Sequence, residues 1–532
     1  MAYTEEVVAQ IDDLKNGEMK QVVVGETDVL LARHENTYYA LHAYCSHYGA
    51  PLSEGAFSDG RIVCPWHHSC YNVATGDQIE PPGLDSLEAY HVAIEGEDIV
   101  VRVPDESSGH RVVDLSRRNA QDTRTIIVLG GGAAGEYAAE ALRQHGFEGQ
   151  LLMITKEAET PYDRPNCSKE YLMGEAPDEW MFLRSPDFYD NLDIERLHET
   201  TVSEVDAVSR TITLEDGERL AFDGIVLCTG GIPNSLDVPG SELEGIYTLR
   251  SLVDSAEIMQ AGRSSINAVV VGASFIGMEV AYSLKELGVE EVTVVAPEKV
   301  PFARPLGERI GMMVKDIHEE NEVRFRLGQT VKAFQGDGLI QRVVLDDESI
   351  IDADLVVVGI GVRPATDFIK GLDMADDGSI LVDETLQAAP DVYAGGDIAR
   401  FPDWRNGSSI RVEHWRLACQ HGRLAGSNLA WSFSGDPRRP YRGVPFFWTV
   451  HFGTSIRYVG HIDSWDEIIY HGSPEDRKFI AFYVKGDDVL AAAGTGCDTE
   501  MSAIEELMRR ERMPTIVDLK RGDLDYAARL KA

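Results

Sequence analysis

The sequence has no run of about 20 consecutive apolar residues, so no membrane-spanning helix is predicted. Basic residues are also scarce, since 49 Lys and Arg oppose 89 Asp and Glu and leave a net charge of −40. This imbalance argues against nucleic acid or an anionic membrane as a partner, because both require a basic surface. Its alternative explanations are a basic protein partner and a generally acidic proteome.

Cysteine is rare as well, with 7 residues in 532, too few for a disulfide framework. The first twenty residues are acidic and contain no apolar stretch, and they resemble neither a secretory signal nor an Arg-rich transit peptide. The expected location is therefore the cytoplasm, whose reducing conditions suit cysteines that bind metal.

Two short boxes near the amino terminus each contain one cysteine and one histidine. They are Cys45-Ser46-His47 and Cys64-Pro65-Trp66-His67, with sixteen residues between His47 and Cys64. A Rieske [2Fe–2S] centre needs this set, because two thiolates bind one iron and two imidazoles bind the other. The alternatives are a Cys2His2 zinc site, which normally pairs like ligands within a box, and unrelated Cys and His residues. The mixed boxes favour the Rieske centre.

The surroundings of these boxes resemble the ferredoxin or dioxygenase type of Rieske protein. High-potential Rieske proteins have a further cysteine near each box, but Ala50 and Trp66 occupy the matching positions here. We therefore expect a cluster of lower potential. Nearby Cys70 is expected to be a buried packing residue and His68 a loop residue, neither of them a ligand.

A first glycine-rich turn follows an apolar strand and opens a helix in TIIVLGGGAAGEYAAEALRQHG. Gly130, Gly132 and Gly135 allow a tight turn and a close approach to a pyrophosphate at the helix amino terminus. The turn also contains Ala133 and Ala134, which we include among the cofactor-binding residues. After the next strand, Glu157 is a candidate partner for a ribose diol, although it lies farther from the turn than the usual ~20 residues.

A second glycine-rich turn occurs in AVVVGASFIGMEVAYSLKELG, with Gly272, Ser274 and Gly277 at the fingerprint positions. Ala296 ends the following strand where NAD-binding proteins often have an acid, and Glu298 lies two residues later. Lys299 is the only nearby cation that could accept a 2′-phosphate. NAD(H) is therefore favoured over NADP(H) on weak grounds, and a fold without its own ligand is the alternative.

Texture along the chain predicts a multidomain protein. We predict an all-β Rieske domain over 1–104, a linker over 105–122, and an α/β flavoprotein with two dinucleotide-binding domains. The predicted FAD-binding domain has two parts, 123–250 and 373–436, and encloses a nicotinamide-binding domain over 251–372. A C-terminal α+β domain is predicted over 437–532.

Five further segments carry a family resemblance, namely ETPYDRPNCSKEYL, GVRPATDF, VYAGGDIARFP, EHWRLACQHGR and PFFWTVHFG. In this order they resemble the ferredoxin-reductase and apoptosis-inducing-factor branch of the FAD-dependent pyridine nucleotide oxidoreductases. With the Cys/His boxes, the resemblance is to the apoptosis-inducing-factor-like proteins that carry a Rieske domain. Cys167 has no partner in a C-x4-C pair, so disulfide exchange is not expected.

The resemblance implies roles for individual residues. Arg164 and Lys169 would lie along the isoalloxazine, and Glu279 would pair with Lys169, which makes Lys169 and Glu279 the expected catalytic residues. Asp397 would accept a hydrogen bond from the ribityl chain of FAD. The other implied cofactor-binding positions lie beside the FAD phosphates, near the pyrimidine or nicotinamide side of the flavin, or in the tail that approaches the ring, and they are Thr229, Gly230, Gly361, Glu413, His414, Trp415 and Trp448.

The combined cofactors predict the activity. NAD(P)H gives a hydride, FAD accepts two electrons and releases them singly, and a [2Fe–2S] cluster carries one. We therefore expect an NAD(P)H-dependent reductase that passes electrons through FAD and the cluster to a ferredoxin, an oxygenase or a similar acceptor. The alternative is a slowly turning redox-sensing protein of the apoptosis-inducing-factor type. The oligomeric state, including a homodimer, stays open.

Overall fold

The computed structural model describes residues 2–531, which divide into two compact units. The first comprises Met1–Leu115, Arg442–Trp448 and Ile456–Ala532, and the second comprises Ser116–Tyr441 and Thr449–Ser455. Within residues 2–531, none of the helices combines the length and the apolar character that crossing a membrane requires.

The amino-terminal part of the first unit consists of strands alone, apart from one short 3-10 turn. These strands are β1 (Tyr3–Gln10), β2 (Glu18–Val24), β3 (Thr27–His34), β4 (Thr37–His42), β5 (Ala56–Ser58), β6 (Arg61–Val63), β7 (Cys70–Asn72), β8 (Gln78–Glu80), β9 (Ser86–Leu87), β10 (Ala89–Glu95), β11 (Asp98–Pro104) and β12 (His110–Arg111). They form a six-stranded sheet in the order β1-β11-β10-β4-β3-β2 and a four-stranded sheet in the order β5-β6-β7-β8. The expected all-β amino-terminal domain is confirmed.

The meander β5 to β8 positions the predicted ligands. Box one lies in the loop between β4 and β5, and box two lies in the loop between β6 and β7, where Cys64 directly follows β6. Antiparallel pairing of β6 with β7 places Val63 opposite Cys70. Buried apolar residues around Leu30, Leu41 and Ile62 form the core beneath both loops. The sheet thus fixes the two ends of the second box.

The second unit alternates strands and helices. Its strands are β13 (Thr125–Leu129), β14 (Gln150–Ile154), β15 (Ile194–Leu197), β16 (Val202–Asp206), β17 (Thr211–Leu214), β18 (Arg219–Ala221), β19 (Gly224–Leu227), β20 (Gly231–Pro233), β21 (Ile246–Thr248), β22 (Asn267–Val271), β23 (Glu291–Ala296), β24 (Val323–Leu327), β25 (Val331–Asp337), β26 (Leu339–Leu345), β27 (Ile350–Asp352), β28 (Leu355–Val358), β29 (Val362–Pro364), β30 (Ile369–Lys370), β31 (Ile380–Leu381), β32 (Gln387–Ala389), β33 (Val392–Ala394), β34 (Ala399–Pro402) and β35 (Ser409–Ile410). Its helices are α1 (Ala133–Gln144), α2 (Pro186–Asn191), α3 (Leu252–Gly262), α4 (Phe275–Glu286), α5 (Ala303–Leu306), α6 (Glu308–Glu320) and α7 (Trp415–Ser434).

Two sheets in this unit have the parallel topology typical of dinucleotide-binding folds. The first runs β15-β14-β13-β19-β33-β32, and the second runs β21-β28-β22-β23-β24. In each, the central strand leads directly into a helix through a glycine turn, as β13 leads into α1 and β22 into α4. Ligands of such sheets bind at the carboxyl ends of the strands, which is where both turns lie.

The carboxyl-terminal region forms an antiparallel sheet followed by three helices. Its elements are β36 (Phe446–His451), β37 (Thr454–Gly460), β38 (Glu467–Ser473), β39 (Lys478–Lys485), β40 (Asp488–Thr495), α8 (Asp498–Arg509), α9 (Ile516–Arg521) and α10 (Tyr526–Lys531). The sheet order is β36-β37-β40-β39-β38. This is the α+β architecture expected for the tail.

Candidate functional site

The two Cys/His boxes converge within the first unit. The Nδ1 atoms of His47 and His67 lie 3.0 Å apart, and the Cys45 and Cys64 thiols are hydrogen-bonded to each other. Although burial opposes ionisation, hydrogen bonds from Cys64 and from the Tyr71 hydroxyl lower the pKa of Cys45 to about 7. That direction favours the thiolate, the form that binds metal.

These contacts fit a two-iron cluster better than a single ion. In residues 2–531, no three His, Cys, Asp or Glu side chains are grouped as ligands of one metal ion. A Rieske centre instead divides its ligands into a cysteine pair and a histidine pair on separate irons. Burial lowers the pKa of His47 to about 3, which keeps its ring neutral as a metal ligand must be. The residues present therefore fit a [2Fe–2S] group.

The carboxyl-terminal region of the same unit holds the second box in place. The Nε atom of Arg457 in β37 donates to the carbonyl of Trp66 at 3.0 Å, and the Arg457 guanidinium is paired with Asp498 at 2.5 Å. The Trp448 ring lies 4.3 Å from the His67 ring between centroids. Trp448, predicted from the resemblance to lie in the segment that approaches the flavin ring, thus contacts a cluster ligand.

The residue after the ligand His67 is anchored from the same side. His68 has a left-handed backbone conformation with φ of 59°, and its buried ring is hydrogen-bonded through Nδ1 to the carboxylate of Glu505 in α8. The ring of Phe446 stacks on it at 4.0 Å. Cys70 is buried in β7, as expected of a packing residue. Sequence reasoning missed Arg457 and Glu505, because hundreds of residues separate them from the boxes and no local pattern marks them.

The first glycine turn is sterically closed to side chains at two of its positions. Gly130 has φ of +117°, and a Cβ there would lie 2.2 Å from the carbonyl oxygen of Cys228. A Cβ on Gly135 would lie 1.8 Å from the carbonyl oxygen of Gly130. At Gly132, by contrast, the nearest atom to a Cβ is Nη2 of Arg164 at 3.9 Å. The turn is thus open only where a pyrophosphate would approach, and Arg164 places a cation there.

This difference predicts separate outcomes for two substitutions. Gly135→Ala should lower both the FAD content and the melting temperature, because its methyl group would collide with backbone inside the turn. Gly132→Ala should lower the FAD content by about tenfold or more while leaving the melting temperature of the apoprotein unchanged, because its methyl group meets only the pyrophosphate. Flavin absorbance per protein and thermal unfolding would measure both. Full flavin content in Gly132→Ala would contradict this assignment.

Glu157 lies beside the same turn, but its carboxylate is engaged within the protein. It accepts hydrogen bonds from Arg164 Nη2 at 2.9 Å and from the Tyr162 hydroxyl at 2.5 Å. Burial raises the pKa of Glu157, but the opposing charge of Arg164 outweighs it, and the net shift is downward. Glu157 is therefore ionised, with the Arg164 pair holding it at the end of β14.

A second ion pair lies near the carboxyl end of β19. Nη2 of Arg250 donates to Oδ2 of Asp397 at 2.9 Å, and a Cβ on Gly230 would lie 2.8 Å from the same Arg250 atom. The hydroxyl of neighbouring Thr229 donates to the carbonyl of Ala365 at 2.7 Å. Asp397, Thr229 and Gly230 are thus grouped as the resemblance implied, whereas Arg250 was not identified from the sequence.

The remaining predicted flavin-side residues lie at the start of α7 or between strands. His414 occupies the position before α7, and Trp415 is its first residue. Glu413 is hydrogen-bonded to Nη1 of Arg411. Gly361, with φ of +92°, accepts a hydrogen bond from the backbone of Asn234 at 2.9 Å.

The second glycine turn repeats the geometry of the first. Gly272 has φ of +115°, and a Cβ on Gly277 would lie 2.1 Å from its carbonyl oxygen. Ser274 precedes α4, and its hydroxyl donates to the carbonyl of Gly359 at 2.9 Å. The serine therefore replaces glycine by bonding to the end of the adjacent strand, and the turn is retained.

Helix α4 also supplies Glu279, which the structure pairs with Lys169. The Nζ atom of Lys169 lies 2.6 Å from Oε2 of Glu279, and both side chains are buried. The same oxygen accepts from the Ser168 hydroxyl at 2.5 Å, and Oε1 accepts from the Thr449 hydroxyl at 2.7 Å. The pairing implied by the resemblance is present, and Ser168 and Thr449 are additional contacts that the sequence did not indicate.

Comparison with protein families supports this organisation. The family profile described as "Pyridine nucleotide-disulphide oxidoreductase" matches residues 124–422. A "Rieske [2Fe-2S] domain" profile matches residues 4–91, and a "Reductase C-terminal" profile matches residues 446–531.

Individual relatives extend over most of the chain. Apoptosis-inducing factor 3 of Homo sapiens is 36% identical over 98% of this chain and 88% of that protein. The biphenyl dioxygenase system ferredoxin–NAD(+) reductase component of Paraburkholderia xenovorans (strain LB400) is 32% identical over 69% of this chain and 89% of that protein. Among solved structures, the covalent putidaredoxin reductase–putidaredoxin complex matches with a TM-score of 0.71 and 28% identity, over 77% of this chain and 100% of that one.

Proposed function

Because this chain belongs to the pyridine nucleotide-disulphide oxidoreductase family and carries a Rieske [2Fe–2S] domain, we propose that it is an NADH-dependent reductase with an internal one-electron outlet. FAD, when bound, accepts a hydride and releases its electrons singly, and the cluster carries one electron at a time. The proposed route runs from NADH through FAD and the cluster to a protein acceptor.

The proposal is supported most directly by the way the second Cys/His box is held. Arg457 bonds to the carbonyl of Trp66, and Glu505 bonds to His68, so the reductase C-terminal region itself fixes the ligand loop. The cluster is therefore positioned as a resident group of the reductase. In the biphenyl dioxygenase system, by its name, the reductase serves a ferredoxin. Here the Rieske domain takes the ferredoxin's place as first acceptor.

The residues that hold the cofactors follow from the contacts described. Cys45, His47, Cys64 and His67 would bind the cluster. Gly130, Gly132 and Gly135, with Arg164 and the Arg250–Asp397 pair, would bind FAD along the first parallel sheet. Gly272, Ser274 and Gly277 would bind the nicotinamide nucleotide, with NADH favoured over NADPH because of Glu298. Lys169, paired with Glu279, would stabilise the negative charge that develops when the flavin is reduced.

The final acceptor in this proposal is a ferredoxin, an oxygenase or a similar one-electron protein. The names of several relatives refer to ferredoxin reductases of oxygenase systems. The net charge of −40 would favour an acceptor whose docking face is basic.

Rapid mixing of the holoenzyme with one equivalent of NADH would test the proposal. The flavin absorbance should bleach first, and the iron–sulfur absorbance should bleach afterwards, with the reduced cluster detected by electron paramagnetic resonance. Substoichiometric NADPH in a parallel experiment should bleach the flavin more slowly. A cluster that stays oxidised while the flavin remains reduced would exclude internal transfer.

A redox-sensing function is the second candidate, since the human relative that spans the Rieske domain as well is an apoptosis-inducing factor by name. A sensor would turn over slowly with every acceptor and would change its oligomeric state when NADH is added. Size-exclusion chromatography with and without NADH, beside an acceptor screen, separates the two functions.

A further inference from the structure

A chain of buried hydrogen bonds leads away from the Lys169–Glu279 pair within the second unit. Oε1 of Glu279 accepts from the Thr449 hydroxyl at 2.7 Å, and that hydroxyl lies 3.0 Å from Nε2 of His451. Nδ1 of His451 lies 3.1 Å from Nε2 of His318 in α6. All five residues are buried. The chain therefore connects a proposed catalytic carboxylate to an imidazole on a different helix.

Only one arrangement of protons satisfies these contacts while Glu279 is ionised. A carboxylate can only accept, so Thr449 donates to it and must itself accept from Nε2–H of His451. Nδ1 of His451 then lacks a proton and accepts from Nε2–H of His318. Every donor in the chain thus points toward Glu279.

Both histidines are neutral, which this arrangement requires. Burial lowers the pKa of His451 to about 3, with a further contribution from the positive charge of Lys169. Burial also places the pKa of His318 well below its usual value, and the nearby His451 adds to that effect. A neutral imidazole has one N–H and one free acceptor, so it can take a proton on one nitrogen and give one from the other.

The outer end of the chain is Nδ1 of His318, which is buried and has no hydrogen-bonding partner among residues 2–531. The rings of Phe325 and Phe452 flank His318, with centroid separations of 6.2 Å and 5.1 Å. A buried polar atom without a partner is uncommon in proteins and calls for a functional or structural reason. The next residue of α6, Glu319, is exposed to solvent.

Reduction of the flavin supplies the driving force for using this chain. Lys169 balances one negative charge while the flavin is oxidised, that of Glu279. Reduction by hydride adds a second negative charge to the same site, and a like charge nearby disfavours an ionised carboxylate. Glu279 would then bind a proton.

We propose that His318, His451 and Thr449 form a proton-uptake chain, which delivers one solvent proton to Oε1 of Glu279 when NADH reduces the flavin. This inference rests on the proposed function, because it places Lys169 and Glu279 beside the flavin. A proton arrives at Nδ1 of His318, its Nε2 proton moves to His451, the Nε2 proton of His451 moves to Thr449, and the Thr449 proton moves to Glu279. Each hydrogen bond is thereby reversed, and the chain is then ready to conduct the proton outward.

The step balances in atoms and electrons. NADH, one solvent proton, oxidised FAD and the Glu279 carboxylate give NAD+, the anionic reduced FAD and the Glu279 carboxylic acid. When two one-electron acceptors later remove the electrons, the hydride-derived proton and the Glu279 proton both return to solvent. Over the whole cycle NADH yields NAD+, two electrons and one proton.

Rapid mixing of the holoenzyme with NADH in weakly buffered solution containing a pH indicator would test this chain. In the unsubstituted protein, about one proton per flavin should leave solution together with the flavin bleaching. In Thr449→Val the hydroxyl is lost at nearly constant volume, and proton uptake should lag bleaching by about tenfold or more. Thr449→Ser keeps the hydroxyl and should restore coincident uptake.

His318→Phe provides the second variant, because it leaves the immediate contacts of Glu279 intact. It should bleach with NADH and show the same lag as Thr449→Val. Bleaching without proton uptake in the unsubstituted protein, or coincident uptake in His318→Phe, would overturn the chain and assign His318 a packing role. Absence of bleaching in the unsubstituted protein would instead refute the proposed NADH-dependent function.

Discussion

The Cys45→Ser variant should still bleach its flavin with NADH but should no longer pass electrons to a one-electron acceptor. Cys45 is buried and belongs to the converging cysteine pair. A serine hydroxyl is nearly the same size but is a hard, weakly acidic group, so it replaces the thiolate poorly on iron. The iron–sulfur absorbance and the paramagnetic signal of the reduced cluster should both disappear.

The expected loss is large, because even substitutions outside the ligand set cost about 10–100-fold in metal affinity or activity. Removal of a ligand should therefore lower the rate of acceptor reduction by about 100-fold or more. The flavin contacts lie in the other unit, so the rate of flavin bleaching should stay close to that of the unsubstituted protein.

Cys70→Ser is the matched control for this prediction. Cys70 is as buried as Cys45 and lies six residues after Cys64, but its Sγ atom contacts Nη2 of Arg61 at 3.3 Å and is not in the converging set. This variant should keep the cluster and the electron transfer. Acceptor reduction that survives in Cys45→Ser, or that fails equally in Cys70→Ser, would contradict the proposed outlet.

Sequence alone predicted the parts of this protein whose determinants lie close together in the chain. The glycine turns lie between a strand and the helix that follows it, and each Cys/His box spans three or four residues. The expected helices after both turns are present as α1 and α4. Strand β1 was missed, because most of its residues are exposed and its apolar alternation is weak.

The contacts that secure these local features could not be predicted in the same way. His68 and Glu505 are 437 residues apart, and Arg250 and Asp397 are 147 residues apart. Each of these side chains is an ordinary charged or polar residue in its own segment, so only the fold makes it a partner. The same is true of Thr449, His451 and His318, which come from β36 and α6.

Lys169→Met should slow flavin reduction by NADH by about 100-fold or more, because it removes the cation proposed to stabilise the developing negative charge. It should also lower the free energy of unfolding by about 3–5 kcal/mol, since it leaves the buried Glu279 carboxylate without its ion partner. Stopped-flow absorbance and chemical denaturation measure these two effects separately.

The double variant Lys169→Met/Glu279→Gln separates catalysis from stability. The neutral amide can still accept from Ser168, and no buried charge is left unpaired, so most of the lost stability should return. Flavin reduction should remain slow, because no cation is restored near the ring. If the double variant instead recovered the rate along with the stability, Lys169 would be only the structural partner of Glu279, and the charge needed for hydride transfer would have to come from another residue.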